Sequence, residues 1–317
     1  MAAAKKSPAG QKASKGQGAK GQPAGKQPSG TAGLTPQTFR VDTGLARIEP
    51  DPYSEGGWVF VLNGVQSSHI MDDPTVLEFE YMQWIAAAVE HHFTDHAERL
   101  NFLHLGGGAC TLPRWSLAVY PESRSLVVEI DAALVTKMRE ILDLPRAPKL
   151  RLRAEDARTA IDSLTEDSRD VIIRDVFATD ATGWNLTTLE FLGEVRRVLR
   201  PGGLYTANIG SRMDLTAAKE DIATTLAVFP HVCVIADPAM FKGRRAGNFV
   251  VVASDEPFEP DAQLNRVLLG SGVPAQAWGT GRVRAFCAGA TVRRDADEPE
   301  PPAGTGPDGE GPALAGV

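Results

Sequence analysis

Apolar residues in the middle of this chain arrive in two rhythms. Short, nearly unbroken apolar runs bounded by turn residues predict buried strands, and apolar positions recurring every three to four residues predict helices. The first rhythm appears at 46–49 and 58–65, joined by the turn "PDPYSEGG", and again at "SSHI". The second follows over 74–93, where Leu77, Tyr81, Trp84, Ile85 and Ala88 share one helical face; Pro74 and nearby acids suit a helix start there. From residue 101 the rhythms alternate. "NFLHL", "SLVVEID", "KLRLRAED" and "DVIIRDVF" read as four strands. "LTTLEFLGEVRRVL" reads as a helix stopped by "RPGG", "LYTANIG" as a fifth strand and "DLTAAKEDIATTLAVF" as a helix; "HVCVIAD" and "NFVVVAS" are two more strands. Alternating strands and helices predict an α/β fold of parallel βαβ units with helices on both faces. Ligands in such sheets bind beyond the carboxyl ends of the strands, so the residues ending strands one to four carry the chemical information.

The flanks lack either rhythm. Residues 1–34 are rich in Gly, Ala, Lys, Gln, Ser and Pro, and 295–317 in Pro, Gly and acids. Both compositions predict disordered tails, because too little apolar surface is available to offset ordering entropy. Between them the expected units are a small N-terminal β-hairpin domain, 35–73, and a large α/β domain, 74–294. The 317 residues carry a formal charge of −7. Residues 1–40 hold six lysines, one arginine and no acid, so the remaining chain is −14. A body this acidic is a poor nucleic-acid surface and suits a cationic substrate. The basic tail has no interleaved aromatic residue, which argues for a solubilising role rather than a nucleic-acid contact. Cys110, Cys233 and Cys287 are scattered, with neither a metal-ligand pair nor a disulfide framework. No secretory signal is recognisable and no apolar run of about 18 residues occurs, so the expectation is a cytoplasmic protein without a membrane partner. His92 and His96 lie one helical turn apart, but no third ligand accompanies them and no metal is expected. The five tryptophans fall in different elements and read as core or pocket walls.

"LHLGGGACTLPRWS", 103–116, is the chemical centre of the sequence. Gly106, Gly107 and Gly108 follow the first strand of the alternating region and allow backbone to approach a ligand closely. A dinucleotide fingerprint needs a third glycine where Thr111 stands, and a P-loop needs Gly-Lys-Ser/Thr, so neither motif is present. The second strand ends in Glu129, 21 residues after Gly108, where a carboxylate can accept two hydrogen bonds from a ribose diol. The third ends at Asp156, which could accept from an adenine amino group or cap the following helix. The fourth ends at Asp175 after an apolar run; a carboxylate there has a raised pKa and suits a general base, the alternative being a cap or loop anchor.

These residues, with two motifs before them, resemble the spermidine synthase family of aminopropyltransferases over about 47–210. "LNGVQSS" resembles the family's Asp-Gly-x-x-Gln-Ser strand motif, with Asn63 in place of the acid and Gln66 one position early. "EFEYMQW" resembles Glu-Phe-x-Tyr-x-Glu-Met and matches at Glu78, Phe79 and Tyr81. "LHLGGGAC", "VVEID", "EDA" and "DVIIRD" resemble the glycine, ribose, adenine and catalytic motifs. The resemblance implies a Rossmann-like, S-adenosylmethionine-dependent methyltransferase fold carrying a small N-terminal β-hairpin domain. It implies S-adenosylmethionine or its decarboxylated form as donor, bound by Gly106, Gly107, Gly108, Glu129 and Asp156. It further implies Asp175 as catalytic base, and Gln66, Tyr81 and Asp180 as substrate contacts. The partner would be a small-molecule amine or another nucleophile, and a homodimer is compatible with it. Two family carboxylates are missing: the glycine turn lacks its acid, and Ala178 stands where Asp-x-x-Asp-Pro places a second one, with Asp180 two residues on. A methyltransferase, or a nucleoside- or partner-binding protein without the chemistry, therefore stay open as alternatives.

Overall fold

The computed structural model describes residues 31, 33–176 and 182–299. Its first unit is a four-stranded antiparallel meander of β1 (Gln37–Val41), β2 (Gly44–Pro50), β3 (Trp58–Leu62) and β4 (Val65–Ile70). The strand β1 was not anticipated, because "QTFRV" is short and only Val41 is buried. Ala46, Ile48, Phe60 and Ile70 are fully buried, so one face of this sheet packs on the body and the other meets solvent.

The helix α1 (Glu80–His92) begins later than Pro74. Asp73 forms a local turn instead, accepting from the backbone N–H and hydroxyl of Thr75 at 2.9 and 2.7 Å, and its carbonyl accepts from Val76. That turn competes with helix for the same backbone groups.

The second unit follows as β5 (Asn101–Leu105), α2 (Thr111–Val119), β6 (Arg124–Glu129), α3 (Ala132–Ile141), β7 (Leu150–Ala154), α4 (Ala157–Ser163) and β8 (Arg169–Arg174). It continues through α5 (Leu189–Val198), β9 (Leu199–Ser211), α6 (Thr216–Val228), β10 (His231–Ala236) and β11 (Gly247–Ser254). It ends with α7 (Ala262–Leu269), β12 (Gln276–Trp278) and α8 (Thr280–Phe286). The sheet order is β12-β10-β11-β9-β8-β5-β6-β7. The pairs among β7, β6, β5, β8 and β9 are parallel, as expected. Beyond β9 the sheet is mixed: β11 is antiparallel to both β9 and β10, and β12 is antiparallel to β10. The all-parallel expectation fails there because no crossover helix separates β10 from β11; only a short loop with one turn of 3-10 helix does. The fold is the Rossmann-like methyltransferase type with a small antiparallel N-terminal sheet.

Period-two alternation sorts β8 between two cores. Val171 and Ile173 pack with Trp84, Ile85 and Val89 of α1, whereas Ile172 faces Phe191 and Val195 of α5 and Ile222 of α6. Arg174 continues the second face and is fully buried, paired with Asp221 of α6. The N-terminal sheet adds a third core with Val127, Leu134 and Met138.

The packed chain extends past both expected tail boundaries. Leu34 is buried and the hydroxyl of Thr31 donates to Asp72 at 2.6 Å. At the other end Asp295 accepts from Arg158 and Thr188, so the body continues beyond residue 294. Residues 1–30 and 300–317, which make up most of the two expected tails, lie outside the described residues. No helix among the described residues is long and apolar enough to cross a membrane.

Candidate functional site

Three strand ends meet at the carboxyl edge of the parallel sheet. Gly106 follows β5 in the left-handed region (φ +90°), and a Cβ there would collide with the carbonyl of Asp175. Gly108, at φ +45°, lies where a Cβ would stand 3.0 Å from Ser68 Oγ of β4. The turn thus has protein on both sides, and both glycines are required by backbone conformation as well as by space. Gly106 donates to the Val128 carbonyl at 2.9 Å, and Cys110, also left-handed, leads into α2.

Glu129 ends β6 as expected, facing the turn. One carboxylate oxygen, Oε2, accepts from the backbone N–H of Gly107 at 2.9 Å and of Gly108 at 3.2 Å. The other, Oε1, accepts from the N–H of Asp131 at 3.2 Å. Next to it Ile130 is 63% exposed, a large apolar side chain placed beside a polar turn. Asp156 realises the capping alternative: its Oδ1 accepts from the backbone N–H of Thr159 at 2.9 Å and begins α4.

Asp175 is fixed at the tip of β8 by its own N–H, which donates to the Leu105 carbonyl at 2.8 Å. Its Oδ2 accepts from the hydroxyl of Tyr81 at 3.1 Å, and its Oδ1 from the amide of Asn208 at 3.0 Å. It caps no helix. Burial raises its pKa, and the hydrogen bonds from Asn208 and Tyr81 offset only part of that rise. The same burial, with the neighbouring carboxylate, raises the Tyr81 phenol well above its ordinary value, so Tyr81 remains a neutral donor. Asn208 is buried on β9, and its Oδ1 has no hydrogen-bond partner. Sequence reading missed Asn208; its signal is a polar residue inside the apolar strand "LYTANIG", level with Asp175 because Arg174 pairs with Ala207.

The structure brings Tyr81, Asp175, Glu129 and the three glycines to one edge. Gln66 is different: it is exposed near the start of β4. An irregularity opposite Phe60 and Val61 shifts the register there, pairing Gln66 with Val61 and Ser68 with Phe60. Consequently Ser67 and Ser68 are the side chains of this strand that approach Gly108. Asn63, at the position of the family acid, instead bonds Leu45 and Thr43 across two turns of the N-terminal sheet. Asp180 and Ala178 lie outside the described residues. His92 and His96 go to separate partners, the Gly202 carbonyl and Glu90.

No family model matches the chain. A polyamine aminopropyltransferase of Vibrio vulnificus is 30% identical over 125 residues, which is 39% of this chain and 41% of the relative. The matched region therefore spans less than half of that relative's length. The crystal structure of human methyltransferase-like protein 13 in complex with SAH shares the fold, with a TM-score of 0.51 at 22% identity, covering 61% of this chain and 88% of that one. A probable spermidine synthase from Corynebacterium glutamicum is far more similar: 46% identical, with a TM-score of 0.78, covering 83% of this chain and 97% of that one. Identity at that level over nearly the whole of a solved relative shows that the chain belongs to the spermidine synthase family of transferases.

Proposed function

We propose that this protein transfers an aminopropyl group from decarboxylated S-adenosylmethionine to a small-molecule amine, with Asp175 as the base. The observation that carries the reading is the Asp175 carboxylate, held by two neutral donors at the sheet edge and raised in pKa by burial. A carboxylate so placed is more basic than an exposed one and better suited to accept a proton from an ammonium group. The freed nitrogen lone pair attacks the aminopropyl methylene carbon bonded to the sulfonium sulfur. The C–S bond breaks, and its electrons neutralise the sulfur, so methylthioadenosine leaves as a neutral thioether. Most of the acceleration would come from alignment of nitrogen, carbon and sulfur.

The donor fits the residues present. The glycine turn packs closely against Asp175, Val127 and Ser68, which holds its backbone at the sheet edge, and Glu129 ends β6 beside it. The exposed side chain of Ile130 offers an apolar surface for the adenine ring, and Asp156 keeps one carboxylate oxygen beyond its capping bond. The names borne by the Vibrio and Corynebacterium relatives support aminopropyl transfer to an amine. In the ligand-free arrangement Glu129 gives its oxygens to backbone N–H groups, and a ribose diol would have to engage the same carboxylate.

Titration calorimetry with methylthioadenosine, S-adenosylmethionine and its decarboxylated form tests the reading directly. The decarboxylated donor is expected to bind and to yield methylthioadenosine when a di- or monoamine is added. Glu129→Ala is expected to weaken binding by about 2–4 kcal/mol, two charge-assisted hydrogen bonds to the ribose. Transfer of a methyl group from the carboxylated donor, with no aminopropyl product, would replace this reading with the methyltransferase one.

A further inference from the structure

Glu129 does not stand alone at the end of β6. The backbone N–H that holds its Oε1 belongs to Asp131, whose side chain is 1% exposed. That side chain gathers four donors: the N–H of Leu134 at 2.7 Å, the N–H of Asp42 at 3.1 Å, and the N–H and hydroxyl of Thr43 at 2.7 Å each. Asp42 and Thr43 form the tight turn between β1 and β2, so the tip of the N-terminal sheet is docked on the start of α3. The clasp is reciprocal, since the Asp42 carboxylate accepts from the N–H of Ala133 at 3.0 Å. Burial would raise the pKa of Asp131, but the bonds from Thr43, Leu134 and Asp42 outweigh it and hold the carboxyl below its ordinary range.

A continuous polar chain thus runs from an exposed hairpin tip to the glycine turn: Thr43 to Asp131, Asp131 to Glu129, Glu129 to Gly107 and Gly108. The N-terminal sheet has its own apolar contacts with Leu134, Met138 and Val127, so the polar clasp is not needed to keep the two units together. What it fixes is the backbone at residues 130–131, and through that backbone the orientation of the Glu129 carboxylate. We propose that Thr43 and Asp131 are positioning residues for Glu129, and that the hairpin tip of the N-terminal sheet sets the affinity for the donor's ribose. This rests on the assignment of Glu129 to the ribose under Proposed function.

The test is a double-mutant cycle read by calorimetry with methylthioadenosine. Thr43→Val keeps the shape of an exposed residue and removes its hydroxyl. It is expected to weaken binding about 2- to 30-fold, the range of mutations that act through a coupling network. Thr43→Ser restores the hydroxyl and is expected to bind as wild type does. In a Glu129→Ala background Thr43→Val should add nothing, a non-additivity that a merely structural role would not produce. Wild-type affinity in Thr43→Val, an equal loss in both backgrounds, or a loss in Thr43→Ser matching that of Thr43→Val would each overturn the coupling while leaving the ribose assignment intact. If wild type fails to bind, or Glu129→Ala binds normally, the ribose assignment falls and the coupling falls with it.

Discussion

Replacing Asp175 by Asn separates a base from a structural anchor. The substitution preserves the shape and removes the charge. Tyr81 and Asn208 both donate to the carboxylate, so an amide at 175 would face one donor with its own NH2 group. The structure contains the remedy. Asn208 Oδ1 has no partner, and turning the Asn208 amide presents that oxygen to the new donor. The Tyr81 hydroxyl can accept as well as donate. The exchange leaves one unpartnered buried group as before, the Asn208 NH2 in place of its Oδ1, so the network loses no hydrogen bond and the usual cost of breaking one is largely avoided. Charge works in the same direction. The folded-state pKa of Asp175 is raised, so this carboxylate favours folding at pH below its unfolded value and loses that contribution as pH rises through the folded one. Above its folded-state pKa wild type thus carries the cost of an ionised, crowded carboxylate, which the amide removes. The expected result is an unchanged or higher Tm, retained methylthioadenosine binding, and turnover lower by about 10²- to 10⁴-fold, the range for a positioned general base. Melting, calorimetry and methylthioadenosine release on one preparation give all three numbers. A folded, ligand-binding variant with wild-type turnover would refute the assignment. A lower Tm with normal turnover would make Asp175 a structural anchor.

Two further predictions concern stability. His104 is buried on β5 with Nδ1 unpartnered, and burial depresses its pKa from 6.5 to about 3. The unfolded chain therefore takes up a proton that the folded chain refuses. Stability should be full above pH 6.5 and fall on acidification by about 2 kcal/mol at pH 5 from this group alone; His104→Leu should flatten the decline in urea melts between pH 7 and 5, and an unaltered slope would assign the acid sensitivity elsewhere. Truncation locates the packed N-terminal boundary: removing residues 1–30 should leave Tm nearly unchanged, whereas removing 1–35 discards buried Leu34 and should cost about 1.5–3 kcal/mol. Equal melting of the two truncated proteins would show that Leu34 contributes no net packing.

The parts of the site that were legible share one property: each lies at the end of a strong apolar strand. "NFLHL", "SLVVE" and "DVIIR" are unambiguous β-runs, so the residue after each run was bound to arrive at the carboxyl edge, and Gly106, Glu129 and Asp175 did. Asn208 was hidden by the opposite circumstance. It sits inside a strand, and its role depends on lateral register between β8 and β9, which a single chain does not spell out. Gln66 was misplaced for a related reason, since the irregularity opposite Val61 displaces the serines by one residue relative to a regular hairpin. The parallel half of the sheet could be read from strand–helix alternation, while β11 reversed direction because the loop between β10 and β11 carries no apolar periodicity to mark a crossover.

The clasp at Asp131 shows a deeper limit. By spacing, "EID" puts the Glu129 carboxylate at a strand end, and Asp131 carries no signal beyond a residue type that caps helices. It does cap α3, accepting from Leu134. Yet three of its four donors lie 88 or 89 residues earlier, in a turn whose sequence "DTG" is ordinary for a hairpin. Helix capping and hairpin closure are both local events with local signatures. Their combination, which ties the N-terminal sheet to the glycine turn, arises only when the third core brings β2 and β3 against α3. The positioning of Glu129 is thus a property of packing between two units, each of which the sequence describes separately.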